Sequence, residues 1–251
     1  MNRQKFEANE IPYEELNEFG LTQEMVDDLP ESIMDKLLKG QRTPLLPIER
    51  ADAHGVVHKD FARIRLVKFE DTLHPLLLPV KGKGNLDYFT EEQKEALKKG
   101  EVLCVILPSN GTFNYVQLDN ATGSIISAKQ DIVKKNLSIL TNDIGINDND
   151  KMDLENGQAV TFGKEEAPIT VGIDLNEETG ILTVDGDREK WQEARDGNVK
   201  LDKYNFGIYG CWTKDDKGML SYVPEDEYSD EMCKEQEAIL EKARSSRGMH
   251  R

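Results

Sequence analysis

A spacing of 57 residues constrains this chain more than any other feature. The stretch Phe89 to Ile126 returns at Ile146 to Thr183, with Leu97 falling on Leu154, Gly100 on Gly157, Val116 on Ile173, Leu118 on Leu175, Thr122 on Thr179 and Gly123 on Gly180. The positions that coincide are mainly apolar residues and glycines, so what is duplicated is a folding unit rather than a catalytic motif. In the first copy Thr90 is placed to cap a helix over 91–99, with Gln93 in the capping-box position and Gly100 as the stop. Strands are expected over 102–107, 113–118 and 124–128, joined by turns at 109–111 and 119–123. The second copy reads as a helix over 147–156 and strands over 158–162, 169–175 and 181–184, its middle turn falling at 163–166. A fainter third copy precedes both, because Glu31 to Gly40 shares the Leu-x-Lys-Gly ending of Glu91 to Gly100.

The flanks follow the same grammar. Short helices are expected over 12–19 and 22–29, separated by Gly20, and a third over 31–39 in which Ile33, Met34, Leu37 and Leu38 form an apolar stripe. Pro44 and Pro47 force an extended crossing segment. Strands over 62–69 and 73–80 are expected to pair through Glu70-Asp71, with Pro75 and Pro79 marking the return as an edge. Near the carboxyl end Tyr204 to Trp212 reads as one aromatic-rich strand, turning at Asp215 to Gly218 into a partner over 220–223. Ser229 then caps a charged helix over 230–244, followed by a basic tail. The expected fold class is α+β: N-terminal short helices, repeated helix plus antiparallel β-meander modules, then a C-terminal hairpin and helix. The corresponding segments are 1–50, 51–86, 87–130, 131–187 and 188–251.

Charge bears on function. A formal net charge of −16 and a pI near 4.8 disfavour any generic affinity for nucleic acid or anionic membrane. The acid is spread along the chain, which suits solubility. Cys104, Cys211 and Cys233 are widely separated and form no CxxC pair, so neither a disulfide framework nor a zinc knuckle is expected. The polar amino terminus and the lack of a long apolar run point to a soluble, cytoplasmic protein.

Each residue cluster that suggests chemistry has a structural reading. His54 and His58 are four apart, but Gly55, Val56 and Val57 disfavour the helix that would bring both imidazoles to one metal. Asn147 to Asp150 and Asp174 to Gly180 carry the oxygen-rich look of calcium loops. In the latter, however, the glycine is seventh and no glutamate closes the twelfth place. The repeat makes the first a helix start and the second a turn. Cys211 and Cys233 lack a nearby histidine that would activate a thiol. No phosphate loop, nucleophile elbow or dinucleotide fingerprint occurs. No catalytic, metal or cofactor residue is therefore expected. Tyr204, Phe206, Ile208 and Trp212 share one face of their strand with Tyr209 opposite; packing in a core is the favoured reading, and Tyr204, Phe206, Tyr209 and Trp212 stand as the candidate interaction surface for a protein partner or nucleic acid.

Several stretches carry a family resemblance. Ile11-Pro12-Tyr13-Glu14-Glu15-Leu16, Phe19-Gly20-Leu21-Thr22, the run Leu37 to Ile48, the unit Phe89 to Ser127 and the segment Asp202 to Tyr228 resemble an uncharacterised family encoded on conjugative and integrative elements of gut bacteria. The helix-glycine-strand unit also resembles a repeat in related proteins of unknown function, some joined to topoisomerases. The resemblance implies a setting in horizontal DNA transfer and supplies no catalytic residue. The leading expectation is a non-enzymatic, cytoplasmic protein-interaction module of a mobile genetic element. Its partner is an unidentified protein, with a DNA-handling protein included. The alternative is an accessory to DNA processing that binds DNA or mimics it through its acid; an unrecognised enzyme is a third.

Overall fold

The computed structural model describes residues 5–51, 54–80, 86–109, 111–164, 166–195 and 201–248. The chain divides into two compact units, Met1–Leu77 with Val199–Arg251, and Leu78–Asn198. Four three-stranded antiparallel sheets are found among the described residues, each built from consecutive strands, as the α+β meander reading requires.

The second unit contains the repeat. Its first copy runs α4 (Glu91–Lys98), β4 (Leu103–Ile106), β5 (Phe113–Asp119), β6 (Ser124–Lys129) and α5 (Gln130–Ile144). Its second runs α6 (Asp148–Glu155), β7 (Val160–Lys164), β8 (Ala167–Ile173), β9 (Ile181–Asp185) and α7 (Arg188–Arg195). The helices that open the copies are capped alike. The Thr90 hydroxyl accepts from the Gln93 N–H, and Asn147, 57 residues on, accepts from the Asp150 N–H. Both stop at a glycine in the left-handed region, Gly100 at φ +81° and Gly157 at φ +85°, a conformation that a β-carbon disfavours. The pairs Leu97 and Leu154, Val116 and Ile173, and Leu118 and Leu175 are all buried.

The repeat is longer than its sequence signal. Helices α5 and α7, both absent from the sequence reading, close the two copies at matching positions. The first buries Val133 and Leu137, the second Trp191. The copies also meet through equivalent residues: the Gln117 amide donates to Asp174 Oδ1 at 3.0 Å across a separation of 57, and Gln117 Oε1 accepts from the Leu175 N–H at 2.8 Å. Identity fails where volumes are exchanged. Tyr115 in the first copy reaches the Glu155 carbonyl at 2.6 Å. Its counterpart is Gly172, where a β-carbon would run into the Trp191 ring.

The first unit begins with α1 (Tyr13–Asn17), α2 (Gln23–Asp27) and α3 (Glu31–Leu38), followed by β1 (Leu46–Ala51), β2 (Val57–Phe69) and β3 (Thr72–Pro79). Strand β2 turns into β3 through Glu70 and Asp71, both with positive φ, the geometry that suits a tight hairpin. Strands β1 and β3 are the sheet edges, so the prolines of β3 fall where the ladder tolerates them. The third copy is thus a helix ending before Gly40 followed by a three-stranded meander.

The unit is completed by β10 (Tyr204–Phe206), β11 (Gly210–Lys214), β12 (Leu220–Pro224) and α8 (Asp230–Gly248). The single strand expected over Tyr204 to Trp212 is two: the chain reverses between Phe206 and Gly210, and β10 pairs with β11. Trp212 and Leu220 join Leu16, Leu21, Val26, Ile33, Ile48 and Ile64 in one apolar core. The amino-terminal segment therefore shares its core with residues lying more than 120 positions away in sequence.

Candidate functional site

The reversal between β10 and β11 is held by one carboxylate. Asp28 follows the last turn of α2 and is only 5% exposed. Its Oδ1 accepts from the Ile208 N–H at 2.6 Å and its Oδ2 from the Tyr209 N–H at 2.9 Å. The Tyr222 hydroxyl of β12 donates to the same Oδ2 at 2.6 Å. A buried carboxylate is strongly disfavoured without such donors, and charge-assisted bonds of this length are among the strong ones. Gly207 is required sterically, because a β-carbon there would collide with the Asp28 side chain. A β-carbon at Gly210 would stand 2.5 Å from the Tyr222 hydroxyl.

Two main-chain bonds hold the reversal as well. The Gly207 N–H donates to the Gly210 carbonyl at 2.8 Å, and the Tyr209 carbonyl accepts from the Glu225 N–H at 3.1 Å. The result is a fixed tip on which Ile208 is 78% exposed and Tyr209 45% exposed. A rigid aliphatic and aromatic pair of this kind loses little conformational entropy on docking. Beside it the 3-10 turn Glu225–Glu227 exposes three carboxylates, and Glu24 of α2 is exposed one turn before Asp28.

The four sequence-predicted residues separate here. Tyr209 lies at the tip. Tyr204 and Phe206 are half-buried in β10, their rings 6.0 Å apart, and Phe206 packs edge-on against Tyr228 at 5.6 Å. Trp212 is fully buried, donates its indole N–H to the Met25 carbonyl at 2.9 Å and packs against Tyr222. It belongs to the core and supports the tip from beneath. Neither the role of Asp28 nor the exposure of Ile208 is legible from local sequence, which places Ile208 on a strand face, because the contact that joins them spans 180 residues.

Burial pushes the tyrosine hydroxyls up: Tyr228 to about 12, and Tyr222 above the usual tyrosine range with the adjoining Asp28 carboxylate as a further cause. Burial likewise raises the Cys211 thiol to about 11 and that of Cys104 above its ordinary value. Both remain protonated near neutrality, which disfavours nucleophilic roles.

The metal-like motifs take the places the repeat assigns them. Asn147 caps α6, and Asp174 Oδ1 accepts from the Asn176 N–H and from Gln117. His58 lies in β2 opposite Arg50. Among the described residues no group of three or more His, Cys, Asp or Glu side chains is arranged to hold a metal ion, and no helix is long and apolar enough to cross a membrane. The end of the basic tail, residues 249–251, and the lysine-containing stretch 81–85 lie outside the described residues.

No curated protein and no solved structure matches the chain. Residues 6–77, from ahead of α1 through most of β3, match the model of a family described as "Protein of unknown function (DUF4099)". That match ends at Leu77, where the first segment of the first unit ends. Over that segment the chain is similar to an uncharacterised family.

Proposed function

We propose that this chain is a non-enzymatic protein-interaction module that acts in the cytoplasm and presents the Ile208–Tyr209 tip to a basic partner. The observation that carries the reading is the pinning of an exposed apolar tip by a buried carboxylate, with each N–H from Gly207 to Tyr209 accepted within the unit. A flexible loop would lose binding energy to ordering, whereas this one is ordered beforehand. The carboxylates of Glu24, Glu225, Asp226 and Glu227 around it favour lysine and arginine on the partner. The resemblance to proteins of conjugative elements sets the partner in the machinery of a mobile genetic element, where basic DNA-handling proteins are natural candidates.

A photo-crosslinking residue at position 208, used in cells that naturally carry the gene, tests the reading. The expected result is a discrete adduct with a basic protein, suppressed by excess wild-type chain and not by a chain carrying Ile208→Ser and Tyr209→Ser. Adducts that both competitors suppress equally, or no adduct at all, would count against it. The alternative is an accessory to DNA processing that contacts DNA through its basic tail and lysine-rich turns, or mimics DNA through the acid that gives a net charge of −16. It predicts retention on a DNA column, or an adduct with a DNA-binding protein that DNA displaces.

A further inference from the structure

The second unit has an open strand edge. Strand β4 is the outer strand of the sheet β4-β5-β6. The Leu107 N–H donates to the Thr112 carbonyl at 3.2 Å, and in the same register Val105 faces Asn114 and Leu103 faces Val116. Hydrogen-bonded and non-hydrogen-bonded pairs alternate along an antiparallel ladder. The main-chain groups of Leu103 and Val105 therefore turn toward β5, and those of Cys104 and Ile106 turn outward. Among the described residues no hydrogen bond reaches these outward groups.

The side chains leave the edge open as well. Leu103 and Val105 pack half-buried against the cluster of Phe89, Leu97, Val116 and Leu118. On the other face Cys104 is exposed, and Ile106 is 56% exposed beside its cross-strand partner Phe113 at 55%. Free edges in natural sheets are blunted by charge, proline, shortness or a covering segment. The other edges of this chain follow that rule. In β1 the Glu49 N–H donates to the Phe19 carbonyl, β3 and β12 contain proline, β6 and β7 end on lysine, β9 ends on aspartate, and β10 has 3 residues. Strand β4, Leu-Cys-Val-Ile, has no charge and no proline.

We infer that the β4 edge is a self-pairing surface whose occupant is the β4 of a second copy of this chain, antiparallel about a two-fold axis at Val105. Self-complementarity carries the inference. The axis sets Cys104 opposite Ile106 of the other copy, so each outward N–H meets an outward carbonyl, and apolar side chains adjoin with no charge in the seam. A shift of one residue would set outward groups against inward ones. The pairing joins two three-stranded sheets into one. The seam is short, so the buried area falls below the roughly 1,200 Å² typical of stable complexes and the dimer is weak. Each copy carries a net charge of −16, so the copies repel outside the uncharged seam and salt strengthens the association. Strand β4 belongs to the second unit, and the inference does not rest on the Ile208–Tyr209 tip.

Sedimentation equilibrium of the full chain over a concentration series, at low and at high sodium chloride, tests the inference, with far-UV circular dichroism to verify folding. The wild-type chain should associate reversibly and more tightly at high salt. Ile106→Lys alters an exposed side chain and should weaken association about tenfold or more, whereas Ile106→Val should keep it. Register is read by mild oxidation in a Cys104→Ser, Cys233→Ser background. Val105→Cys should cross-link two copies, because the two-fold brings the 105 positions to a Cα separation of about 4.5 Å, within disulfide reach. Leu103→Cys should not, because its counterpart lies several residues along the partner strand. A wild-type chain that stays monomeric at the highest concentration and salt, Ile106→Lys that associates like wild type, or equal cross-linking of the two cysteine variants would each overturn the inference.

Discussion

Replacing Asp28 by alanine removes a carboxylate that joins the amino-terminal helices to the β10–β11 reversal. The carboxylate accepts three hydrogen bonds, from the N–H groups of Ile208 and Tyr209 and from the Tyr222 hydroxyl. A bond to a charged acceptor contributes about 1.5–3 kcal/mol when its donor is otherwise buried. Two of these donors sit at a tip that water can reach once the side chain is gone, so about 1 kcal/mol each is their appropriate scale; with about 1.5 kcal/mol for the Tyr222 bond the total is about 3.5 kcal/mol. Asp28→Asn should cost somewhat less, about 2 kcal/mol, because its amide can still accept but turns an NH2 group toward the remaining donors. The chain has two tryptophans, the buried Trp212 in the first unit and Trp191 in the second. Urea unfolding followed by fluorescence in a Trp191→Phe background therefore reports the first unit alone. The expectation is a lowered midpoint with an unchanged slope. An Asp28→Ala loss below about 0.5 kcal/mol would refute the reasoning, since it is no larger than a neutral surface substitution.

Further expectations follow from other parts of the molecule. Gly172→Ala drives a β-carbon into the Trp191 ring and to 3.0 Å from the Ala159 β-carbon, so the second unit should lose about 2 kcal/mol in a thermal or urea transition. Residues 78–198 expressed alone should fold cooperatively, whereas residues 6–77 alone should not, because their core is completed by Trp212 and Leu220; circular dichroism and amide NMR dispersion separate the cases. Burial raises the hydroxyls of Tyr13, Tyr115 and Tyr228 to about 12 each. The folded state holds these protons more tightly, so their contribution to stability is fully present below pH 10 and is lost as the pH rises from 10 through 12. Alkaline unfolding should therefore coincide with the tyrosinate absorbance change, and tyrosine titration completed by pH 10 in the folded chain would contradict this.

What was legible in the sequence was local. Thr90 with Gln93, Asn147 with Asp150, and the glycines that end α4 and α6 announce their helices through main-chain chemistry a few residues long. The turn at Glu70-Asp71 and the edge character of β3 were readable for the same reason. Helix α5 was missed because its buried stripe of Val133, Leu137 and Thr141 includes a polar residue, and it lay between the stretches that align. Helix α7 was missed because Trp191 is the one large apolar residue among many charges. The reversal at Gly207 to Gly210 reads as strand when only neighbours are considered, since aromatic and β-branched residues flank it. What breaks the strand is Asp28, which local propensity cannot take into account. The candidate site is illegible for the same physical cause: it is formed by a contact across 180 residues, whereas the burial of Trp212 agrees with the core packing that its strand pattern favours.

The central claim is that the Ile208–Tyr209 tip is exposed in its side chains and fixed in its backbone. Native-state hydrogen exchange of the Ile208 and Tyr209 amides measures this directly. The account predicts that both exchange only through unfolding of the first unit, with protection that rises and falls with that unit's stability and disappears in Asp28→Ala. Exchange of these two amides at the rate of an unstructured loop in the wild-type chain would contradict it.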